Sequence, residues 1–376
     1  MDLKFNTTAE LISDIRQGKM VILVDDEDRE NEGDLVLAAD FVTSEAINFM
    51  ALEARGLICL ALSTTQIEKL KIPLMVREDM NLTPNKTAFT VSIEASEGIS
   101  TGISAADRAH TIRVASHPDV KPSDIHTPGH VFPIRAQNGG VLRRAGHTEG
   151  SVDLANLAGL NCAAVICEVM NRDGTMARVK DLFTFAKTHN LKIGTIVDLI
   201  QYRLQHDTLV EMVDQFKPEN HFGKDWTIKI FRSKVDQVEH IVFQKGELKS
   251  PIQTVRVQLD HYPKEFLWTL SDTDSPLKQS LKKIDEQGEG AVVLLRGNNR
   301  PHIASELRSI FSNNEDSPNH VHSSMDLRDY GVGAQILRAL GMSQIRLITN
   351  KPEKRVGIKA YGLEIVDNIP LFEGEP

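Results

Sequence analysis

Cysteine is scarce in this chain of 376 residues: there are 3, at Cys59, Cys162 and Cys167. Three thiols make no disulfide framework, which points to a reducing, cytoplasmic setting. Basic residues are outnumbered, with Lys+Arg 43 against Asp+Glu 52, for a net charge of -9 and a pI near 5.8. Phosphate-backbone binding needs a basic face, so nucleic acid is not the expected partner. No run approaches the ~20 apolar residues of a membrane span. The opening MDLKFNTTAELISDIRQGK also lacks the apolar region of a signal peptide. A cytoplasmic protein with neither membrane nor nucleic-acid partner is expected.

What is present is ordinary for a soluble protein, with 41% hydrophobic and 25% charged residues. The length exceeds what most single cores reach, so two domains are expected. Apolar spacing predicts helices over Thr8 to Gln17, Ser44 to Ala54, Val179 to Lys187 and Ile196 to Leu204. Val21 to Val24, GLICLALS (Gly56 to Ser63) and CAAVICEVM (Cys162 to Met170) read as buried strands. Their alternation argues for a layered α/β domain. QFKPENHFGKD (Gln215 to Asp225) reads as a linker. Beyond it the texture turns to β-like alternation, as in TIKIF and TVRVQL. The expected domains are 1–208 and 209–376.

Chemistry concentrates in three stretches. DDEDRENEGDL (Asp25 to Leu35) offers hard oxygen ligands that suit magnesium, with Glu30 and Glu32 on one face if the segment is extended. Arg29 adds a forked donor and Gly33 permits a tight turn. The alternative is a solvated acidic loop, the commoner fate of acid runs. In HTPGHVFPIRAQNGGVLRRAGHTEGSVDLANLAGL (His126 to Leu160), the run Arg144, Ala145, Gly146, His147, Thr148 suits a phosphate. His147 could complete a magnesium site, although imidazole prefers softer metals. His130, after Pro128-Gly129, is a candidate proton carrier. Glu168 is either a buried general acid–base or a strand-end residue facing solvent. Cys59 taken alone is a small core residue.

These stretches, with STGISAADRAHT (Ser100 to Thr111), resemble 3,4-dihydroxy-2-butanone 4-phosphate synthase, an enzyme of riboflavin synthesis, through roughly the first 205 residues. The resemblance implies an α/β (α+β) fold, an N-terminal sandwich on a mixed sheet, usually as a homodimer. It implies conversion of D-ribulose 5-phosphate to L-3,4-dihydroxy-2-butanone 4-phosphate and formate, with Mg2+ or Mn2+, two ions per active site. Glu30, Glu32 and His147 would be metal ligands, and His130 and Glu168 catalytic. Arg29, Glu30, Asp34, Cys59, Glu168 and the run Arg144 to Thr148 would contact substrate.

The second half, most clearly SSMDLRDYGVGAQILRALGMSQIRLITNKPEKRVGIKAYGLEIV (Ser323 to Val366), resembles GTP cyclohydrolase II, and an α/β fold is implied there too. That family's zinc is held by three cysteines, whereas this chain has none beyond Cys167. SDTDSPLKQSL (Ser271 to Leu281) stands where the cysteine motif falls, and RGNNRP (Arg296 to Pro301) replaces a nucleotide-binding RQEGRG segment. Asp326 and Arg328 match the family's proton acceptor and nucleophile. Aspartates and histidines such as Asp272, Asp274, His320 and His322 are imaginable substitute ligands. Loss of zinc and of cyclohydrolase chemistry is expected; a bifunctional enzyme with an unusual metal site is the alternative.

Overall fold

In the computed structural model, residues 4–27, 29–83, 85–218, 224–260, 275–296, 327–350 and 362–372 are described, with backbone only at 78 and 327–330. The chain divides into two units, Met1–Arg203 and Leu204–Pro376.

The first unit is built on a seven-stranded mixed sheet of order β4-β5-β3-β6-β2-β1-β7. Its strands are β1 (Val21–Val24), β2 (Gly33–Ala38), β3 (Cys59–Leu62), β4 (Ile93–Ala95), β5 (Ile125–Arg135), β6 (Ala163–Glu168) and β7 (Lys192–Thr195). VILV and GDLVLA are buried at every position, because helices cover both faces of the central strands. One face carries Ile22, Leu35, Leu60 and Val165. These pack on α2 (Ser44–Phe49), α4 (Ala105–Ser116) and α6 (Val179–His189) through Ile47, Ile112 and Leu182. The opposite face meets α5 (His147–Leu157), where Gly150 lies against Leu23 and Val152 clusters with Ala61.

Local signals explain several boundaries. Thr7 caps α1 (Thr8–Arg16) in a reciprocal box with Glu10. The helix expected to Ala54 is α-helical only to Phe49 and continues as a π-helical turn, Met50–Ala54, ending at Arg55 with φ 70°. α7 (Ile196–His206) closes the stretch expected to end at Leu204.

The second unit has its own seven-stranded sheet, β14-β13-β11-β12-β10-β9-β8. Here β14 (Glu364–Ile369), β13 (Gln344–Ile348), β11 (Ile252–Leu259) and β12 (Gly290–Leu295) are parallel. Strands β10 (Glu239–Lys245), β9 (Trp226–Ser233) and β8 (Val210–Phe216) extend it by antiparallel pairing. Gln215 and Phe216, expected to open a linker, instead pair with Lys229 and Ile228 in this sheet. Polar composition suggested a connector, but an exposed edge strand has the same composition because water meets most of its side chains.

Candidate active site

Among the described residues, Asp25 explains why the acids gather after β1. Its buried carboxylate accepts from Arg29 Nη1 at 2.6 Å, from Glu30 N at 3.2 Å and from Glu32 N at 2.8 Å. One side chain thereby satisfies two backbone donors and a guanidinium, and the loop closes around it. Arg29 also pairs with Glu30 at 2.8 Å, while Arg178 reaches in from the start of α6 to the Glu30 and Asn31 carbonyls. The segment is not extended: Arg29 and Glu30 lie in a turn and Asn31 has φ 54°. The premise that alternation puts Glu30 and Glu32 on one face therefore fails. Hydrogen bonding to Asp25, invisible in a residue pattern, bends the chain instead.

Sheet register assembles the next set. Asp34 in β2 is directly opposite Glu168 in β6, so their side chains share the α5 face. Cys59 pairs with Ile166 on one side and Phe132 on the other, which puts it on that face too. Glu168 ends its strand half-buried, its Oε2 accepting from Leu57 N at 2.8 Å. A side chain at Gly56 would meet that carboxylate at 2.6 Å, so glycine is needed for the close approach. His130 lies two residues before Phe132 on β5, one step beyond the β3 ladder towards the same sheet end. Its Nδ1 is 2.7 Å from Glu94 Oε2.

His147 opens α5 after Gly146, which offers no capping side chain. The imidazole is 7% exposed, with Nδ1 3.7 Å from Glu30 and 3.8 Å from Asp34. These are ion-pair separations rather than hydrogen bonds. Burial works against its charge, yet the Asp34 and Glu30 carboxylates win and lift it to about 9. Glu30 is held down to about 2 by His147 against burial, with help from Arg29 and Asn85. Burial pushes Asp34 up to about 7, His147 opposing and Glu168, Glu30 and Glu32 adding to the rise. Burial and then Glu30 also raise Glu32. The Cys59 thiol is pushed up by burial and by Glu168 and Asp34, so it lines the site as a thiol rather than a thiolate nucleophile.

This cluster suits a hard cation. Atoms of Asp25, Glu30 and His147 lie within 4.8 Å of one another. Among the described residues, Asp34 Oδ1 and His147 Nε2 are buried with no hydrogen-bond partner, as donor atoms awaiting an ion would be. Asp25 was absent from the sequence-based ligand set; because both its oxygens are taken by the loop, organising the loop is its better-supported role. Glu32 stands outside the tight group, 3.9 Å from Arg178. The phosphate-suited run begins with an engaged Arg144, bound to Glu149 at 2.6 Å, Thr87 at 2.9 Å and the Asn85 carbonyl at 3.1 Å. Ala145 and Gly146 lead into the α5 N-terminus, whose first amides have no intrahelical partner, and Thr148 is buried beside them.

Residues 9–202 match the family model of 3,4-dihydroxy-2-butanone 4-phosphate synthase, and residues 211–370 that of GTP cyclohydrolase II. This chain belongs to the 3,4-dihydroxy-2-butanone 4-phosphate synthase family. It is an enzyme of riboflavin biosynthesis with synthase activity, followed by a domain of the GTP cyclohydrolase II type. A two-domain 3,4-dihydroxy-2-butanone 4-phosphate synthase from A. baumannii, RibBX, is 41% identical with a TM-score of 0.75, over 97% of this chain and 99% of that one. A crystal structure of the synthase in complex with two magnesium ions is 40% identical, TM-score 0.51, covering 54% of this chain and 98% of that one. The bifunctional riboflavin biosynthesis protein RIBA 1 of Arabidopsis thaliana is 42% identical over 98% of this chain and 69% of its own. Near-equal identity to a two-domain synthase and to a bifunctional protein shows that overall likeness does not decide the second activity.

In the second unit of this synthase, Asp272, Asp274, His320, His322 and Asp326 lie outside the described residues, as does the side chain of Arg328. Where the cysteine motif was expected, Ser275 caps a helix, Pro276–Gln287. The ends of β11, β12 and β13 are where open α/β sheets bind ligands. Buried polar groups near there include His240, whose Nδ1 accepts from Arg296 N at 3.1 Å.

Proposed function

We propose that the first domain converts D-ribulose 5-phosphate to L-3,4-dihydroxy-2-butanone 4-phosphate and formate in a magnesium-dependent reaction, manganese substituting. The observation that carries this is the grouping of half-buried Glu30 with buried Asp34 and His147, where Asp34 Oδ1 and His147 Nε2 are without a hydrogen-bond partner among the described residues. Glu30 and His147 would hold the cation and Glu32 would complete the site. Two ions per site is the reading, supported by the related two-magnesium complex. A bound divalent cation would polarise the ketose oxygens and stabilise enediolate charge. His130 would carry a proton at its outward nitrogen, and Glu168, beside Asp34, would exchange protons with the substrate hydroxyls. Arg29 and Asp34 would contact the sugar. The α5 N-terminus, with Arg144 and Thr148, would fix the phosphate remote from the reacting carbons. We place the protein in the cytoplasm as a homodimer.

For the second domain we propose a retained fold without cyclohydrolase chemistry, since no cysteine follows Cys167. Zinc of the family type needs three thiolates and an open position for water. The second reading, a bifunctional enzyme, is favoured by the match of residues 211–370 to the cyclohydrolase model. One experiment tests both halves: formate release from D-ribulose 5-phosphate and from GTP, with metal content of the purified protein. Formate from the sugar phosphate alone supports the proposal. Formate from GTP, or no turnover of the sugar phosphate with magnesium, overturns the corresponding half.

A further inference from the structure

His130 is held by a residue that composition and motif spacing did not single out. Glu94 is the middle residue of β4, with its side chain 5% exposed, while that of His130 is 45% exposed. Between them Nδ1 and Oε2 are 2.7 Å apart. A bulge brings them together. Ile93 pairs with Val131, but Glu94 pairs with His126, so residues 127–130 loop out of the ladder. Gly129 N ties that loop back to Ser92 Oγ at 3.1 Å. Bulges of this kind re-aim side chains next to sites. The carboxylate is closed over from the other side by Gly102, at φ +89°, where a Cβ would lie 2.2 Å from Oε1. Oε1 itself is buried with no hydrogen-bond partner among the described residues.

We propose that Glu94 is the positioning residue for His130: its carboxylate holds the proton on Nδ1 and presents Nε2 as the atom that exchanges protons with substrate. This rests on the assignment of His130 as catalytic. A carboxylate only accepts, so the nitrogen facing it must donate. In the neutral ring the lone pair then sits on Nε2, and a proton taken up there is stabilised by the carboxylate behind it. The relation is that of carboxylate, imidazole and substrate in acyl-transfer triads, where removing the carboxylate's charge leaves geometry intact but costs about 10⁴-fold in kcat. With a partly exposed imidazole, a loss of about 10²-fold is expected, the size of a general acid–base contribution.

The test uses the full-length protein with magnesium and three variants, Glu94→Gln, Glu94→Asp and His130→Asn. Glu94→Gln keeps volume but places an amide against Nδ1. It should lower kcat about 10²-fold with KM for D-ribulose 5-phosphate unchanged, and Glu94→Asp should recover part of the loss. ¹⁵N spectra of histidine-labelled protein, with the His130 signal assigned by its absence in His130→Asn, should show Nδ1–H in the parent and a shifted tautomer balance in Glu94→Gln. Unchanged kcat and tautomer in Glu94→Gln would overturn the inference. So would a loss that tracks a fall in melting temperature and is not relieved by aspartate, since that is a packing role. If His130→Asn itself turns over normally, the catalytic assignment of His130 fails separately, and the tautomer signature alone decides whether Glu94 fixes the ring.

Discussion

Two buried histidines, one in each domain, titrate in opposite directions. His147 is 7% exposed and His240 is 5% exposed, so burial penalises the charged ring in both. At His147 the carboxylates of Asp34 and Glu30 outweigh burial and the ring rises to about 9. At His240 burial dominates, Asp236 offsets little and Arg296 adds to the fall, leaving it near 4. The first domain spends buried charge on a cluster whose groups compensate one another, as sites that hold ions or exchange protons do. The second keeps a buried imidazole neutral: its Nδ1 takes a backbone hydrogen bond while its Nε2, like that of His147, is buried without a partner among the described residues. What separates the two rings is therefore the carboxylates around His147.

Metal removal should break that difference most completely. Chelation by EDTA should abolish formate release from D-ribulose 5-phosphate, and magnesium or manganese should restore it. Turnover that survives in metal-free buffer would dissolve the ligand role of Glu30 and His147. His147→Ala should lose activity that added magnesium does not recover.

Next in size are Glu168→Gln and His130→Asn, each expected to retain the fold and lower turnover by about 10²-fold or more. Circular dichroism with steady-state assay separates loss of chemistry from loss of structure. Near-normal turnover in either variant removes that residue from the catalytic set.

Smaller shifts come from proton linkage, and the two histidines should move stability in different pH windows. In the metal-free protein His147 has a folded value of about 9 against an ordinary 6.5. Its contribution is therefore lost as pH rises through 9, while on the acid side it shrinks as Asp34, its partner raised by burial, takes up a proton. His240 is depressed to about 4, so the unfolded chain binds its proton first. Stability is then lost as pH falls from about 6.5 towards 4. Denaturant midpoints of His147→Asn and His240→Asn across pH 4 to 10 should lose the alkaline and acid slopes respectively. If the parent slopes persist in both, other groups carry them.

Three strands of the first domain, β1, β3 and β6, and the helices α1, α2, α6 and α7 were legible because buried runs such as VILV and capped amphipathic segments such as TAELISDIR announce themselves locally. Strands β2, β4, β5 and β7 and the helices α4 and α5 were not read. Glu30, His147 and Glu168 were singled out by residue type and Asp34 only through the family resemblance, and the register of β2 with β6 supplies the reason Asp34 and Glu168 meet. Asp25 and Glu94 were not singled out. Each works by a contact that depends on loop closure or on a bulge, and nothing in spacing distinguishes them from neighbouring acids. The edge strand Val210–Phe216 was missed because exposure erases the alternation that marks a half-buried strand.

The smallest expected effect concerns the second domain. Arg328 matches the nucleophile position of the cyclohydrolase family, so in a bifunctional enzyme Arg328→Ala would remove GTP opening. In the protein proposed here it should change nothing: no formate from GTP before or after substitution, and synthase turnover the same in both. Ligand chemistry underlies this, because zinc that activates water for ring opening requires soft or imidazole donors around an open position. All three thiols of this chain precede Glu168, and two of them, Cys59 and Cys167, are buried in the first domain. Zinc added to the purified protein should accordingly neither bind stoichiometrically nor elicit formate from GTP. Formate from GTP that disappears in Arg328→Ala would place a working second site in a domain without thiolates, and the search for its ligands would then begin at His320 and His322.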